Sequence, residues 1–556
     1  MSFRTKSPIV CWTAAPAFLA AALALSSCVQ ATNSVSSSAS TSLNFSTVAS
    51  QTIDFGSSQT LSLTASGLYG KTLILAKINT GETTASAADT GSATLTSPTS
   101  SASVRSLRST SSPLNLPPPR RPHPIASLQS NASSRTAASR AASSAFSASS
   151  RTTAVLYGET SPSYIEGTTT AQFWVDYYNT NGSLAGFDTI TATLKKVTDH
   201  AYIWVAASNA TDNAEASSTF DPSSESVLNS TKISLLADAF EAVVFPETTA
   251  IYGYERGGGT EGNGGIDADQ HISILIYDID FDAAISGASG YVAGYFWAKD
   301  DDTATVPTDD TYASGGVYPS NGREIFYLDA WALQNYPYTI ASTLAHEYQH
   351  MINYNRVTYE GRTAASTWLD EFRSLATEDL LAPAFASFSA THTYTDVNAY
   401  SFNKDGPGIW AYYYSYYSNR YPYFGLNVWN QSLYDYSFAS VFASYLLRAY
   451  GGIAFMSDAI TQAEAASSAN AAFISAVQSA AARSTATDGT AIASGAVSSF
   501  SSDFYAEILV PFSEALWGLG ANGNSGAGPY NRTDAKAASA TAASTRFLNA
   551  YTILDA

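Results

Sequence analysis

Thiols are almost absent from this chain: its 556 residues include two cysteines, Cys11 and Cys28. No disulfide framework holds such a sequence together, so stability has to come from a buried core. Charge is scarce as well. Asp, Glu, Lys and Arg make up 13% of the residues, about half the share usual in globular domains. The charge that remains is acidic, 46 Asp and Glu against 27 Lys and Arg, for a net −19. A surface so poor in cations excludes nucleic acid as the expected partner, because phosphate binding needs basic patches. Histidine is rare too, six in all, which makes any pair at a fixed spacing informative. Beyond the amino-terminal segment, no apolar run approaches the ~18 residues of a membrane span.

What is present is apolar and aromatic. Hydrophobic residues make up 45% of the chain, and 35 tyrosines, with abundant Ser and Thr, supply polar surface in place of charge. With the length, this predicts two or three domains around a large core, in an extracytoplasmic protein. The amino-terminal segment points the same way. Arg4 and Lys6 precede an apolar stretch, Ile9–Leu25, and Leu25-Ser26-Ser27-Cys28 resembles a bacterial lipobox. That resemblance implies removal of residues 1–27 as a signal peptide and a lipid anchor on Cys28. The protein is then held at the cell envelope, on its periplasmic or outer side. Cys11 lies inside the apolar stretch and leaves with the signal.

Composition divides the remainder. Residues 28–48 are rich in Ser, Thr and Ala and read as a tether. Residues 49–79 hold strand-like alternations at Thr60–Thr64 and Lys71–Ile78. Residues 80–150 are low complexity and cannot bury enough apolar surface to order themselves. They form a disordered insert whose six arginines, Arg105 to Arg140, make a basic island in an acidic protein. A solvated linker is the simpler reading; a pro-segment masking a cleft is the other. Residues 151–212 carry four strand-like segments and read as a small all-β module, completed by the strands of 49–79. Residues 213–363 combine a helix over 226–246 with strands at His271–Tyr277, Tyr291–Trp297 and Glu324–Leu328. From 364 to 556 the chain reads as mostly helical. Strands followed by helices predict an α+β fold.

One stretch carries chemistry. Residues 346–350 read His346-Glu347-Tyr348-Gln349-His350, and Trp368-Leu369-Asp370-Glu371 follows. On a helix at 100° per residue, two imidazoles four residues apart stand one turn apart on the same face. Ile340, Leu344, Tyr348, Met351 and Ile352 form an apolar stripe on the opposite side, with Glu347 beside the histidines. A helix that is only structural has no cause to gather His, Glu and His opposite its stripe. A catalytic zinc takes three protein ligands and keeps one position open. If the third ligand were a histidine six residues past the second, it would stand at 356; Arg356 stands there, and Asn353 replaces the glycine such sites carry. A carboxylate on the next helix is the other solution. Glu371, behind Thr367 as N-cap, is the first candidate and Glu378 the rival, which otherwise orients a histidine N–H or Arg373.

These residues resemble a known arrangement. His346–Asn355 with Trp368–Glu371 is similar to the gluzincin pattern, as in thermolysin and the aminopeptidases. The wider run, with Ile272–Asp278, Gly294–Phe296, Glu324–Asp329 and Phe442–Gly451, resembles the hyicolysin family of bacterial neutral zinc metallopeptidases. The resemblance spans roughly 150–455 and implies a zincin-like metallopeptidase domain with a mostly helical carboxy-terminal subdomain. It implies one zinc per chain, held by His346, His350 and Glu371, with Glu347 as catalytic base. One departure stands out: bulky Phe372-Arg373 follows Glu371 where relatives have Gly then Leu or Met, and such bulk would narrow the cleft.

The same resemblance implies a zinc endopeptidase acting on protein or peptide substrates; a monomer is the expectation. Zinc-activated water attacks the peptide carbonyl, and Glu347 carries its proton to the leaving amine. A Tyr or His from the helical subdomain stabilises the oxyanion. Tyr436 is the first candidate, ahead of Tyr434, His392 and the Tyr412–Tyr417 cluster. Calcium is a secondary expectation at Asp300-Asp301-Asp302 and Asp309-Asp310, whose hard oxygens suit it. No EF-hand spacing is present there, and a solvated acidic loop is the simpler reading. The competing function is a surface adhesin or matrix-binding lipoprotein with a structural or vestigial zinc site.

Overall fold

Runs of β-branched and aromatic residues build one curled, mixed sheet. The computed structural model describes residues 164–178, 184–207, 221–259, 261–279, 292–301, 319–359, 366–392, 433–450 and 453–483, the single residues Trp429 and Phe512, and five short strands nearer the amino terminus. Those five are β1 (Pro8–Ala14), β2 (Ala39–Asn44), β3 (Ser50–Asp54), β4 (Leu61–Ser66) and β5 (Thr72–Lys77). They pair as β3-β1-β5 and β2-β4. Cys28, the tether, the 80–150 insert, Asp302, Asp309-Asp310 and Tyr412–Tyr417 lie outside the described residues.

The main sheet joins β6 (Thr170–Tyr178), β7 (Leu184–Val197), β8 (Ala201–Ala206), β9 (Ile272–Tyr277), β10 (Gly294–Phe296) and β11 (Ile325–Asp329) in the order β10-β11-β9-β8-β7-β6. β8, β9 and β11 run parallel and the outer pairs are antiparallel. Central β8 and β9 are buried on both faces. Their continuous apolar sequences, Ala201–Ala206 and Ile272–Tyr277, are what a doubly covered strand requires.

This continuity corrects one expectation. The strands of 151–212 do not form a separate module, and those of 49–79 do not complete it: β6–β8 extend the sheet that carries β9 and β11. The physical cause is the aromatic face. Phe173, Trp204, Leu275, Tyr277, Tyr295 and Tyr327 form one cluster drawn from both halves of the sheet. The sheet curls over it, so that Phe187 of β7 meets Trp297, just past β10, at 5.5 Å. Tyr295 of β10 likewise donates a hydrogen bond to Asp176 of β6, at the opposite end of the strand order.

The other face of the sheet packs on helices. Between β8 and β9 the chain crosses over through α1 (Ser230–Ala239), a π-helical turn at Phe240–Val244, and α2 (Phe245–Tyr252), as a parallel connection requires. After β11, Asp329 caps the short α3 (Ala330–Asn335) by accepting from the Ala332 N–H at 2.7 Å. Pro337 then opens α4 (Pro337–Asn353), which carries the two histidines and runs on as a π-helical segment, Tyr354–Tyr359. The predicted stripe of Ile340, Leu344, Tyr348, Met351 and Ile352 is fully buried against the sheet and α1–α2. Gly294 lets the terminal strand β10 press on this helix: a Cβ there would sit 2.6 Å from Tyr327 O and 3.2 Å from Thr343 Cγ2. Four further helices follow: α5 (Thr367–Thr391), α6 (Leu433–Tyr450), α7 (Ile453–Ala465) and α8 (Ala469–Arg483). Sheet plus helices make an α+β fold, and no helix among the described residues is long and apolar enough to cross a membrane.

Candidate metal centre

The histidine face of α4 is not open to solvent. α5 crosses it, and His346, Glu347, His350 and Glu371 are all buried. Ser366 rather than Thr367 is the N-cap of α5, so Glu371 stands near the start of that helix. There its carboxylate meets both imidazoles. His346 Nε2 lies 3.2 Å and His350 Nε2 3.5 Å from Glu371 Oε2. One ligand atom from each of the three side chains falls within 4.8 Å of the other two.

The outward-facing atoms of the same side chains are held as well. His346 Nδ1 is 2.9 Å from Glu378 Oε1, whose other oxygen accepts from Ser342 Oγ at 2.9 Å. His350 Nδ1 is 3.0 Å from Asp370 Oδ2, with Ser374 Oγ 3.2 Å away. Tyr436 OH donates to Glu371 Oε1 at 2.9 Å. Partners on the far nitrogens fix which ring nitrogen of each imidazole points inward. Glu378, the rival to Glu371, thus contacts the outer nitrogen of His346.

Electrostatics follow from this crowding. Burial by itself pulls the imidazolium of His346 down, but its hydrogen bonds to Glu371 and Glu378 win and raise it to about 9. His350 goes up for the same kind of reason, against burial, through the charges of Asp370 and Glu371. Burial pushes Glu371 up, yet His350 and His346 together hold it well below the usual carboxylate range. Glu347 is raised by burial, only partly offset by the two histidines. Two imidazole nitrogens and one carboxylate oxygen are compatible with a zinc site, and their mutual spacing suits a single small ion.

Four sequence expectations are clarified by these positions. Tyr436 lies in the first turn of α6 and donates to Glu371 at the site. His392 caps the far end of α5, stacked on Phe388. It is 21 residues beyond Glu371, roughly 30 Å along the helix axis. Phe372 and Arg373 do not line the cleft. Phe372 packs on Phe473 at 5.7 Å, and Arg373 is fully buried, donating to Asn353 and to Ala459 O. Asp300 is bound to Lys299 and Tyr327, each at 2.6 Å, and Asp301 faces Arg256. Among the described residues, the single group of His, Cys, Asp and Glu placed to hold a metal is His346, His350 and Glu371.

Two participants escaped the sequence. Asp370 lies in the first turn of α5, one residue before Glu371, and adjacent acids near the start of a helix can reach two different neighbours. Ser342 precedes His346 by one turn, the spacing that places it on the histidine face.

Comparison with known proteins is consistent with this geometry. No protein-family model matches the chain. Over 123 residues, 21% of its length, it is 32% identical to the neutral metalloprotease ShpI of Staphylococcus hyicus, and it spans about a quarter (25%) of that protein. The chain is thus similar to a metalloprotease over part of its length. Separately, its fold presents a buried His-His-Glu cluster.

Proposed function

We propose that the protein is a zinc-dependent endopeptidase of the bacterial envelope, with a zincin-like domain completed by the helices from 364 onward. The observation that carries this reading is the convergence of His346 Nε2, His350 Nε2 and Glu371 Oε2. The 32% identity with a neutral metalloprotease supports the same reaction class.

His346 and His350 would hold the ion through Nε2, and Glu371 through Oε2. When bound, zinc supplies Lewis acidity: it lowers the pKa of water toward about 7 and polarises a carbonyl. Glu347 stands on the same helix, between the two histidines in sequence. Its carboxyl is raised by burial, which brings it toward the pH at which a base can both take and return a proton. A Glu347 oxygen accepts the proton of the attacking water and hands it to the leaving amine nitrogen. Burial of all four side chains keeps bulk water away from the transfer. β10 is the terminal strand of the sheet and lies against α4, the position at which an extended substrate backbone adds by main-chain hydrogen bonds. Substrates are proteins or peptides; a lipid on Cys28 tethers a monomeric enzyme outside the cytoplasm.

The adhesin alternative rests on the tyrosine-rich surface, the β module and the bulk of Phe372-Arg373. With both side chains in the helical core, that pair does not obstruct the site.

Metal analysis with one variant tests the proposal. Purified protein should carry about one zinc per chain and cleave casein in a chelator-sensitive way. Glu347→Gln should keep the zinc and lose activity by about 10²–10⁴-fold. Bound zinc with no hydrolysis at high enzyme concentration rejects the peptidase.

A further inference from the structure

We infer that Tyr436 is a positioning residue that confines Glu371 to one ligating oxygen, not a donor to the oxyanion of the reaction. This inference rests on the zinc reading above. It starts from the two oxygens of Glu371, which face different ways. Oε2 faces His346 Nε2 and His350 Nε2; Oε1 accepts the Tyr436 hydroxyl at 2.9 Å. A neutral phenol has one proton to donate, and here Glu371 Oε1 receives it. To serve an oxyanion, Tyr436 would have to release the carboxylate.

The contact completes a pattern. Glu378 holds the outer nitrogen of His346, Asp370 that of His350, and Tyr436 the outer oxygen of Glu371. Each converging side chain therefore has one inward atom and one gripped outward atom. The partner differs in the way its ligand requires. An outer imidazole N–H needs an acceptor, and a carboxylate supplies it. The outer carboxylate oxygen needs a donor, and a phenol supplies it without adding charge.

That neutrality matters locally. Glu347, Glu371, Glu378 and Asp370 already crowd two imidazoles, and the charge of Glu371 helps push Glu347 up. A phenol proton on Oε1 drains charge from that oxygen and disfavours a second bond from Glu371 to the ion. One more coordination position is thereby left for water and substrate. The position of Tyr436 serves this role. It is in the first turn of α6, half-buried, with its ring 4.8 Å from that of Trp429. Asp370 and Glu378 belong to α5, like Glu371, whereas Tyr436 ties a further helix, α6, to the centre.

Tyr436→Phe separates the two roles, because it removes the hydroxyl and keeps the ring that packs on Trp429. Zinc affinity of the full chain would be read by competition with a chromogenic chelator, and kcat with zinc saturating. Thermal unfolding of the metal-free variant verifies that it folds. A positioning residue predicts zinc binding about 10–100-fold weaker, with kcat at saturating zinc falling by a smaller factor. Unchanged zinc affinity overturns the inference, whatever happens to kcat; with kcat down about 10²–10³-fold, Tyr436 is an oxyanion donor instead. A parent protein that takes up no zinc sinks the peptidase reading itself, an outcome distinct from either result with the variant.

Discussion

Two buried networks of carboxylates and polar rings lie in this fold, and they are built to opposite ends. Under the aromatic face of the sheet, Tyr295 donates to Asp176 and meets Tyr277 OH at 2.9 Å. Tyr327 donates to Asp300 at 2.6 Å, and Lys299 and the Asn321 N–H complete that carboxylate. Burial and the neighbouring carboxylates push Tyr295 and Tyr327 well up, so both stay neutral donors. In these contacts each phenol donor faces a carboxylate or hydroxyl acceptor. Between α4 and α5 the ingredients are similar and equally buried, but two imidazole nitrogens and a carboxylate oxygen aim at one another. Burial of polar groups alone does not mark a functional site. Convergence of ligand-type atoms on one point is what distinguishes a candidate cation site from a rivet between sheet edges.

Several substitutions would break or sharpen that contrast. The largest effect is expected from Glu371→Ala, which takes away one of the three ligands: zinc should fall from about one per chain to background, and casein cleavage should vanish with it. A variant that kept its zinc would show the convergence to be fortuitous. On the sheet side, Tyr295→Phe leaves Asp176 short of a donor and should destabilise the fold by about 1–3 kcal/mol. Zinc content and cleavage per folded molecule should stay at parent values, as denaturant unfolding beside metal analysis would establish. Loss of zinc there would mean the two networks are one.

The smallest expected effect is in the pH dependence of the metal-free protein. His346 is raised to about 9 from an unfolded value near about 6.5. Its contribution to stability is therefore whole below about 6.5 and is lost as the pH climbs through that raised value. Zinc uptake runs the other way, since the ion has to displace the proton, so affinity should rise across the same interval. Unfolding temperatures without zinc, and chelator competition with it, both at pH 6.5 and 9, measure the pair of slopes. Equal values at the two pH settings would contradict the coupling of His346 to Glu371 and Glu378.

Much of the site was legible in the sequence because a helix converts spacing into direction. His346, Glu347 and His350 share a face by periodicity alone, and the stripe from Ile340 to Ile352 names the face that must be buried. Glu371 was reachable by chemistry, as a carboxylate near the start of the next helix. Asp370 was not, because what it touches depends on the angle at which α5 crosses α4. The bulk of Phe372-Arg373 was read as an obstacle for the same reason: sequence states its size, whereas the rotation of α5 turns it into the core beside Phe473 and Asn353. The β module failed as a separate unit because period-two patterning identifies strands but not their partners. Which strand lies beside β9 was settled by an aromatic cluster that draws on both ends of the sheet.

By itself, then, the sequence determined the ligand-type residues, their helical spacing and the apolar stripe, since local geometry follows from the backbone period. Tertiary structure alone decided that Glu371 Oε2 faces both imidazoles while Asp370, Glu378 and Tyr436 grip the outer atoms. Those contacts join residues 20 to 65 positions apart, and only the packing of α4, α5 and α6 against one another brings them within a hydrogen bond's reach.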